Sequence, residues 1–470
     1  MKKLKTLTLF SLIATAVIGC GNRNNSSSFV STNSSSNKVS SSISTSIPNN
    51  VELPTDYKVN SYYEAMKILS ELKNYTINVT YMEGAYESKN NVYFTENAIF
   101  DDYAGDEYGY IALEEGVVFV DYYENNLIAS EVLLDENGNP YTSVWNKKFF
   151  TSFADINLKE FEKAGNDVYF DITGKANKIQ FMNLVYAQQT DYENIISITA
   201  YLGENLSDLM FSLEFKGGFG YSIEISDINQ TKIDVIDEFI ESGKGATVIS
   251  DDLKRVKNLF AGFNYKRVLY YENDKGETKV AGHEYFNPDY FFSRFVDEYK
   301  MIDPAVAFDA GYIGFNNKIV EGMHLDGAYY AYIIDGQASI FPQAAYYDYD
   351  ITKFYNYPTY MTLFTNLHYF SLVEGTEHSY RTTNFDLTLD FVNNMQLSEI
   401  LAGYYVDGLT ITLEDAENDE DARVIFTLEY STDGVAEGDN SATADFEFIE
   451  FGLANVLEFD LIINSAIDAE

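Results

Sequence analysis

The chain of 470 residues has one cysteine, one tryptophan, four histidines and seven prolines. A lone cysteine excludes an internal disulfide, so any core must hold by burial alone. None of the histidines, His283, His324, His368 and His378, is spaced as the His-x-x-x-His pair of a helical zinc site. Basic residues are also scarce. Against 73 Asp and Glu stand only 31 Lys and Arg, a formal charge of −42. That balance argues against nucleic acid, whose phosphates need Lys and Arg, and against docking of the body onto anionic lipid. No phosphate-cradling glycine loop and no Gly-x-Ser-x-Gly nucleophile elbow occur. The one sustained apolar run, residues 7–18, falls short of the roughly 20 residues a bilayer span needs.

That run sits behind a basic head, Lys2, Lys3 and Lys5, and leads into Val17-Ile18-Gly19-Cys20. The pattern resembles a bacterial lipoprotein signal. The resemblance implies cleavage between Gly19 and Cys20 and a thioether-linked diacylglycerol on Cys20. Residues 1–19 are then a signal peptide. The expected location is the cell membrane, lipid-anchored on the extracytoplasmic face, where two acyl chains hold firmly at roughly 0.8 kcal/mol per buried methylene. Residues 21–50 are almost wholly Ser, Asn and Thr without apolar periodicity. Such a stretch cannot offset its ordering entropy, so residues 20–55 read as a lipidated tether with a reach of roughly 30 Å.

Beyond the tether the composition becomes that of a folded body, in a chain with 39 Tyr and 34 Phe. More than 400 residues exceed what one core usually serves. Alternation at Tyr75 to Tyr81, Phe211 to Phe215, Tyr221 to Ile225, Phe385 to Leu389, Leu409 to Leu413 and Asp445 to Phe448 predicts half-buried antiparallel strands. Helical spacing appears at Tyr62 to Leu72, Ile233 to Ile240 and Leu253 to Phe260. Several elements recur in order. Asn74-Tyr75 and Asn264-Tyr265 each follow a helix, and Gly109-Tyr110-Ile111 pairs with Gly311-Tyr312-Ile313. Leu158 to Phe161 pairs with Leu367 to Phe370, and Phe211-Ser212-Leu213-Glu214-Phe215 with Phe426-Thr427-Leu428-Glu429-Tyr430. The spacing drifts from about 190 to about 220 residues, and the expectation is a duplication with units at 56–246 and 247–470.

Lipobox, tether, and a unit in which an amphipathic helix leads into a long meander together resemble the LolA/LppX-type lipoprotein fold. The resemblance lies in element order and carries over no functional residue. It implies an α+β architecture of two tandem similar units, each a curved antiparallel sheet, a half-barrel, packed on helices. It further implies a cradle for an apolar or lipid-like ligand, or a structural role in the envelope.

Chemistry is sparsely marked. His378-Ser379 with Asp386 invites a hydrolase triad but lacks the elbow. The acidic run from Glu414 to Asp421 and the turn Asp135 to Asn139 offer oxygen ligands without the twelve-residue calcium loop. The expectation is a non-enzymatic protein with no catalytic residues, metal site or cofactor. Its partners are the membrane, through the Cys20 lipid, and an apolar ligand or surface partner. The alternative is an adhesin or glycan-binding module presenting Tyr clusters such as Tyr329-Tyr330-Ala331-Tyr332 and Tyr346-Tyr347-Asp348-Tyr349.

Overall fold

A computed structural model describes residues 62–469, apart from 104–105, 124–125, 147–148, 157–160, 164–168, 173–174, 185–191, 307, 347–360, 396, 399–400, 402, 415–417 and 433–440. Gly19, Cys20 and the tether lie outside the described residues, as do Tyr347, Asp348 and Tyr349. The described residues up to Val248 make one compact unit, and those from Ile249 onward a second.

The first unit opens with α1 (Tyr62–Glu71). Six strands follow: β1 (Tyr75–Glu83), β2 (Tyr86–Phe94), β3 (Ala98–Tyr103), β4 (Asp106–Ala112), β5 (Val117–Tyr123) and β6 (Asn126–Val132). Five more complete its sheet: β7 (Phe161–Lys163), β8 (Tyr169–Ile172), β9 (Ile195–Tyr201), β10 (Met210–Phe215) and β11 (Phe219–Ser226). Helix α2 (Lys175–Leu184) interrupts the second run and α3 (Asp234–Glu241) ends the unit. The order across the sheet is 6-5-4-3-2-1-11-10-9-8-7, every pair antiparallel.

The second unit repeats that order. After α4 (Asp251–Ala261) come β12 (Tyr265–Glu272), β13 (Thr278–Asn287), β14 (Tyr290–Phe295), helix α5 (Asp297–Ile302), β15 (Asp309–Val320), β16 (Met323–Ile334) and β17 (Gln337–Tyr346). Then follow β18 (Ser371–Leu372), β19 (Ser379–Thr382), α6 (Phe385–Asn394), β20 (Tyr405–Glu414), β21 (Arg423–Ser431), β22 (Ser441–Ile449), α7 (Leu457–Ser465) and the short β23 (Ile467–Asp468). Its sheet runs 17-16-15-14-13-12-22-21-20-19-18, with β23 paired to β15. Relabelled from one, the two main paths are identical. Both sheets stay open, since among the described residues no ladder joins β6 to β7 or β17 to β18.

Burial falls on both faces of the first sheet. On one face Met66 and Leu69 of α1 and Phe181 of α2 join Ile77, Val92, Phe94, Phe211 and Ile223 in a single core. On the other, Ile236 and Phe239 from α3 meet Phe100, Val118 and Val120. In the second unit Phe459 of α7 shares a core with Phe292, Ile313 and Tyr329. Phe260 of α4 touches Tyr265, Phe426 and Phe448. Burying one such phenylalanine is worth roughly 1.5–3 kcal/mol. Helix α4 starts where Ser250 accepts the Leu253 N–H at 3.2 Å, with Asp251 and Asp252 in the first turn.

The repeated residues seen in the sequence have shared structural jobs. Asn74 Oδ1 accepts the Thr231 N–H (2.9 Å) and its carbonyl accepts the Asn229 N–H (2.9 Å). Asn264 Oδ1 accepts the Ala454 N–H (2.6 Å) and its carbonyl the Gly452 N–H (2.8 Å). Each asparagine thus ties the start of the central strand to the loop after the last one. Gly109 and Gly311 sit opposite Phe100 and Phe292, and a methyl at either would run into the neighbouring strand's carbonyl, that of Ile99 or Phe291.

One expected strand is a helix. Phe385 to Leu389 opens α6, capped by Asn384, whose side chain accepts the Leu387 N–H at 3.1 Å. The alternation of Phe385, Leu387 and Leu389 is incidental, because burial follows Leu387, Thr388, Phe391 and Val392, the helical spacing.

Candidate functional site

The register of the second sheet lines up a row of rings. Tyr265 stands opposite Phe286, Phe286 opposite Phe291, Phe291 opposite Tyr312, Tyr312 opposite Tyr330, and Tyr330 opposite Phe341. Directly opposed residues share a face, so six consecutive strands each put one aromatic side chain on one line. Tyr265 and Phe286 stack at 5.1 Å, and Tyr312 meets Tyr330 edge-on at 5.5 Å. The inner end is closed and the outer end is not: Tyr265 is 0% exposed and Phe341 48%.

The first unit has the same row in Tyr75, Phe94, Ile99, Tyr110 and Phe119. Tyr75 and Phe94 stack at 4.6 Å. Here the chain covers the row itself. Phe149 and Phe150 lie 4.9 and 5.3 Å from Tyr110, and Trp145 lies 5.8 Å from Phe94. Trp145 is fixed by donating Nε1–H to the Thr95 carbonyl at 2.9 Å. Beneath this cover remains a void of about 60 Å³ lined by Ile99, Val144, Trp145 and Phe150 among others.

Two residues along from each row, the same layer carries buried charge. The second unit pairs Arg267 with Glu284, directly opposed and less than one-tenth exposed. Burial pushes the Glu284 carboxyl above its usual range, against the pull of Arg267. The first unit has Ile77 and Val92 at those places, and one strand further the fully buried Asp101. Burial raises Asp101 to about 6, moderated by the Asn90 amide at 3.4 Å.

On the opposite face of the first sheet a cleft of about 830 Å³ opens, with Tyr201, Met210, Glu224 and Asn78 across its floor and Glu204 and Asp208 on its rim. The equivalent place in the second unit is occupied. Glu447 there accepts two hydrogen bonds from Arg423, at 2.6 and 2.8 Å, and a third from the Tyr270 hydroxyl.

The residues singled out for chemistry do not assemble. His378 sets Nδ1 against Asp252 at 2.8 Å, and Ser379 pairs its hydroxyl with that of Thr412 at 2.9 Å. Asp386 lies in the first turn of α6. His324 Nε2 meets Asn317 at 2.7 Å, and half-buried His368 is pushed down to about 4 by desolvation. His283 is lowered by burial and by nearby Lys266. In the turn after β6, Asp135 accepts the N–H groups of Asn137 and Asn139 at 2.8 and 2.9 Å, an Asx-type turn. Among the described residues no three His, Cys, Asp or Glu side chains converge as a metal site. No described helix is long and apolar enough to cross a membrane. Of Tyr329 to Tyr332, Tyr329 is buried in the core while Tyr330 and Tyr332 are half-exposed on the aromatic-row face. Sequence reasoning named Tyr330 and missed Phe286, Phe291 and Phe341, because only cross-strand register places them together.

The chain matches no protein-family model and no curated protein.

Proposed function

We propose that the protein is an exported, lipid-anchored, non-enzymatic binding protein that lays an apolar or lipid-like ligand along the aromatic row of its second unit. The observation that carries this reading is the six-strand row itself, running from buried Tyr265 out to half-exposed Phe341. An alkyl chain on such a row gains roughly 25 cal/mol per Å² of apolar surface it covers. We read the two units as duplicated copies of a curved, helix-packed sheet of the LolA/LppX type. Their identical strand order and their matching Asn74 and Asn264 ties support that reading.

Native mass spectrometry of residues 51–470 purified from cells, followed by organic extraction, tests the ligand. A stoichiometric apolar adduct is expected, and a bare mass unchanged after incubation with lipid would refute it. The exposed ring of Phe341 also suits stacking on a sugar. Binding of a glycan array in place of lipid, lost in Phe341→Ala, would select the surface-adhesin reading. For the anchor, an alkynyl fatty acid fed to cells should label the wild-type chain and leave Cys20→Ser unlabelled and released from membranes.

A further inference from the structure

The two outer faces, laid in register, differ in one telling exchange. Glu224 stands opposite Asn78 as Glu447 stands opposite Val268, four residues after the respective asparagine ties. Met210 and Ile425 face those glutamates from the next strand. Two residues further back along the chain, Asp208 closes the 3-10 turn before β10, where Arg423 opens β21. The second unit fills its site from within: the Arg423 guanidinium forks onto Glu447 and reaches Glu414 at 2.7 Å. The first unit keeps the carboxylate and replaces the cation by an anion. Among the described residues no Lys, Arg or His lines its cleft. Lys89, which feels the charge of Glu224, holds its ammonium 2.9 Å from Glu87. Asp208 is turned to the loop, accepting the Asn205 N–H at 2.8 Å.

We propose that the cleft on the outer face of the first unit binds a ligand-borne guanidinium group on Glu224, in the role that Arg423 plays for Glu447. The aliphatic stem of the ligand lies along Tyr201 and Met210, and Glu204 and Asp208 add attraction at the rim. A planar fork matches a carboxylate bidentately, which an ammonium cannot do, so the site distinguishes the two cations. This site is independent of the aromatic row.

Isothermal titration of the full chain in non-ionic detergent with agmatine tests it, with 1,4-diaminobutane as a probe of equal charge. The diamine measures non-specific attraction to a chain of formal charge −42. The expected result is one agmatine site per chain, with the diamine at least tenfold weaker. Glu224→Gln, a near-isosteric change on an exposed strand position, should weaken agmatine at least tenfold. Asp208→Arg should abolish binding by supplying the second unit's own occupant. The reciprocal Arg423→Ala should raise the stoichiometry to two. Equal affinity for agmatine and the diamine, or agmatine binding that Glu224→Gln leaves unchanged, would overturn the proposal.

Discussion

The two units share a strand order and differ in what they put on it. At the aromatic row the first unit lays Trp145, Phe149 and Phe150 over the rings, while in the second the row ends at Phe341, 48% exposed. In the adjacent layer the second holds an Arg–Glu pair and the first a single carboxylate. On the outer face it is again the second unit that is internally neutralised, by Arg423 on Glu447. Backbone topology is therefore insensitive to these choices, and specificity resides in a few cross-strand positions.

The largest effect should come from breaking the buried pair. Arg267→Ile leaves Glu284 buried without its cation, and the loss measured by denaturant unfolding is expected to be about 3–5 kcal/mol. The double change Arg267→Ile with Glu284→Val installs the first unit's residues and should be neutral or stabilising by up to about 4 kcal/mol.

In the first unit the register makes Asp101 the counterpart of Ser293. A carboxyl raised to about 6 when folded disfavours the charged form, so its cost is absent below the ordinary Asp range and grows until pH passes about 6. Asp101→Ser should accordingly raise stability at pH 7.5, by at most about 3 kcal/mol, and give no such gain at pH 3.5. A gain independent of pH would separate the substitution from this titration.

The ties should cost the same in both units. Asn74→Ala and Asn264→Ala each strand a main-chain N–H, for about 1–3 kcal/mol apiece, read as faster amide exchange in the loop after the last strand of the unit concerned. A large cost in one unit alone would break the equivalence. The smallest effect belongs to His378. Hydrogen bonding to Asp252 raises its pKa, so its contribution is full below the ordinary histidine range and fades as pH rises through the raised value. The difference in Tm between wild type and His378→Ala should shrink from pH 6 to pH 9.

Much of this comparison was visible along the chain, and part of it was not. Alternation located strands such as β10 and β20, and the Asn-Tyr recurrence marked the start of each central strand. Period-two spacing misled at Phe385, where the Asn384 cap was the better signal. What a single chain cannot display is register. Arg267 and Glu284 are 17 positions apart, Glu224 and Asn78 far more, and each acquires meaning only when pairing sets it opposite its partner. The shared strand order helps, because two units in one register show at which positions they differ.

The direct test of the open row is photo-crosslinking of residues 51–470 with a diazirine-bearing fatty acid, mapped by peptide mass spectrometry. Labels on β15 to β17, including Phe341, and lost in Phe341→Ala, are predicted. Labels confined to the first unit, or none at all, would contradict the account.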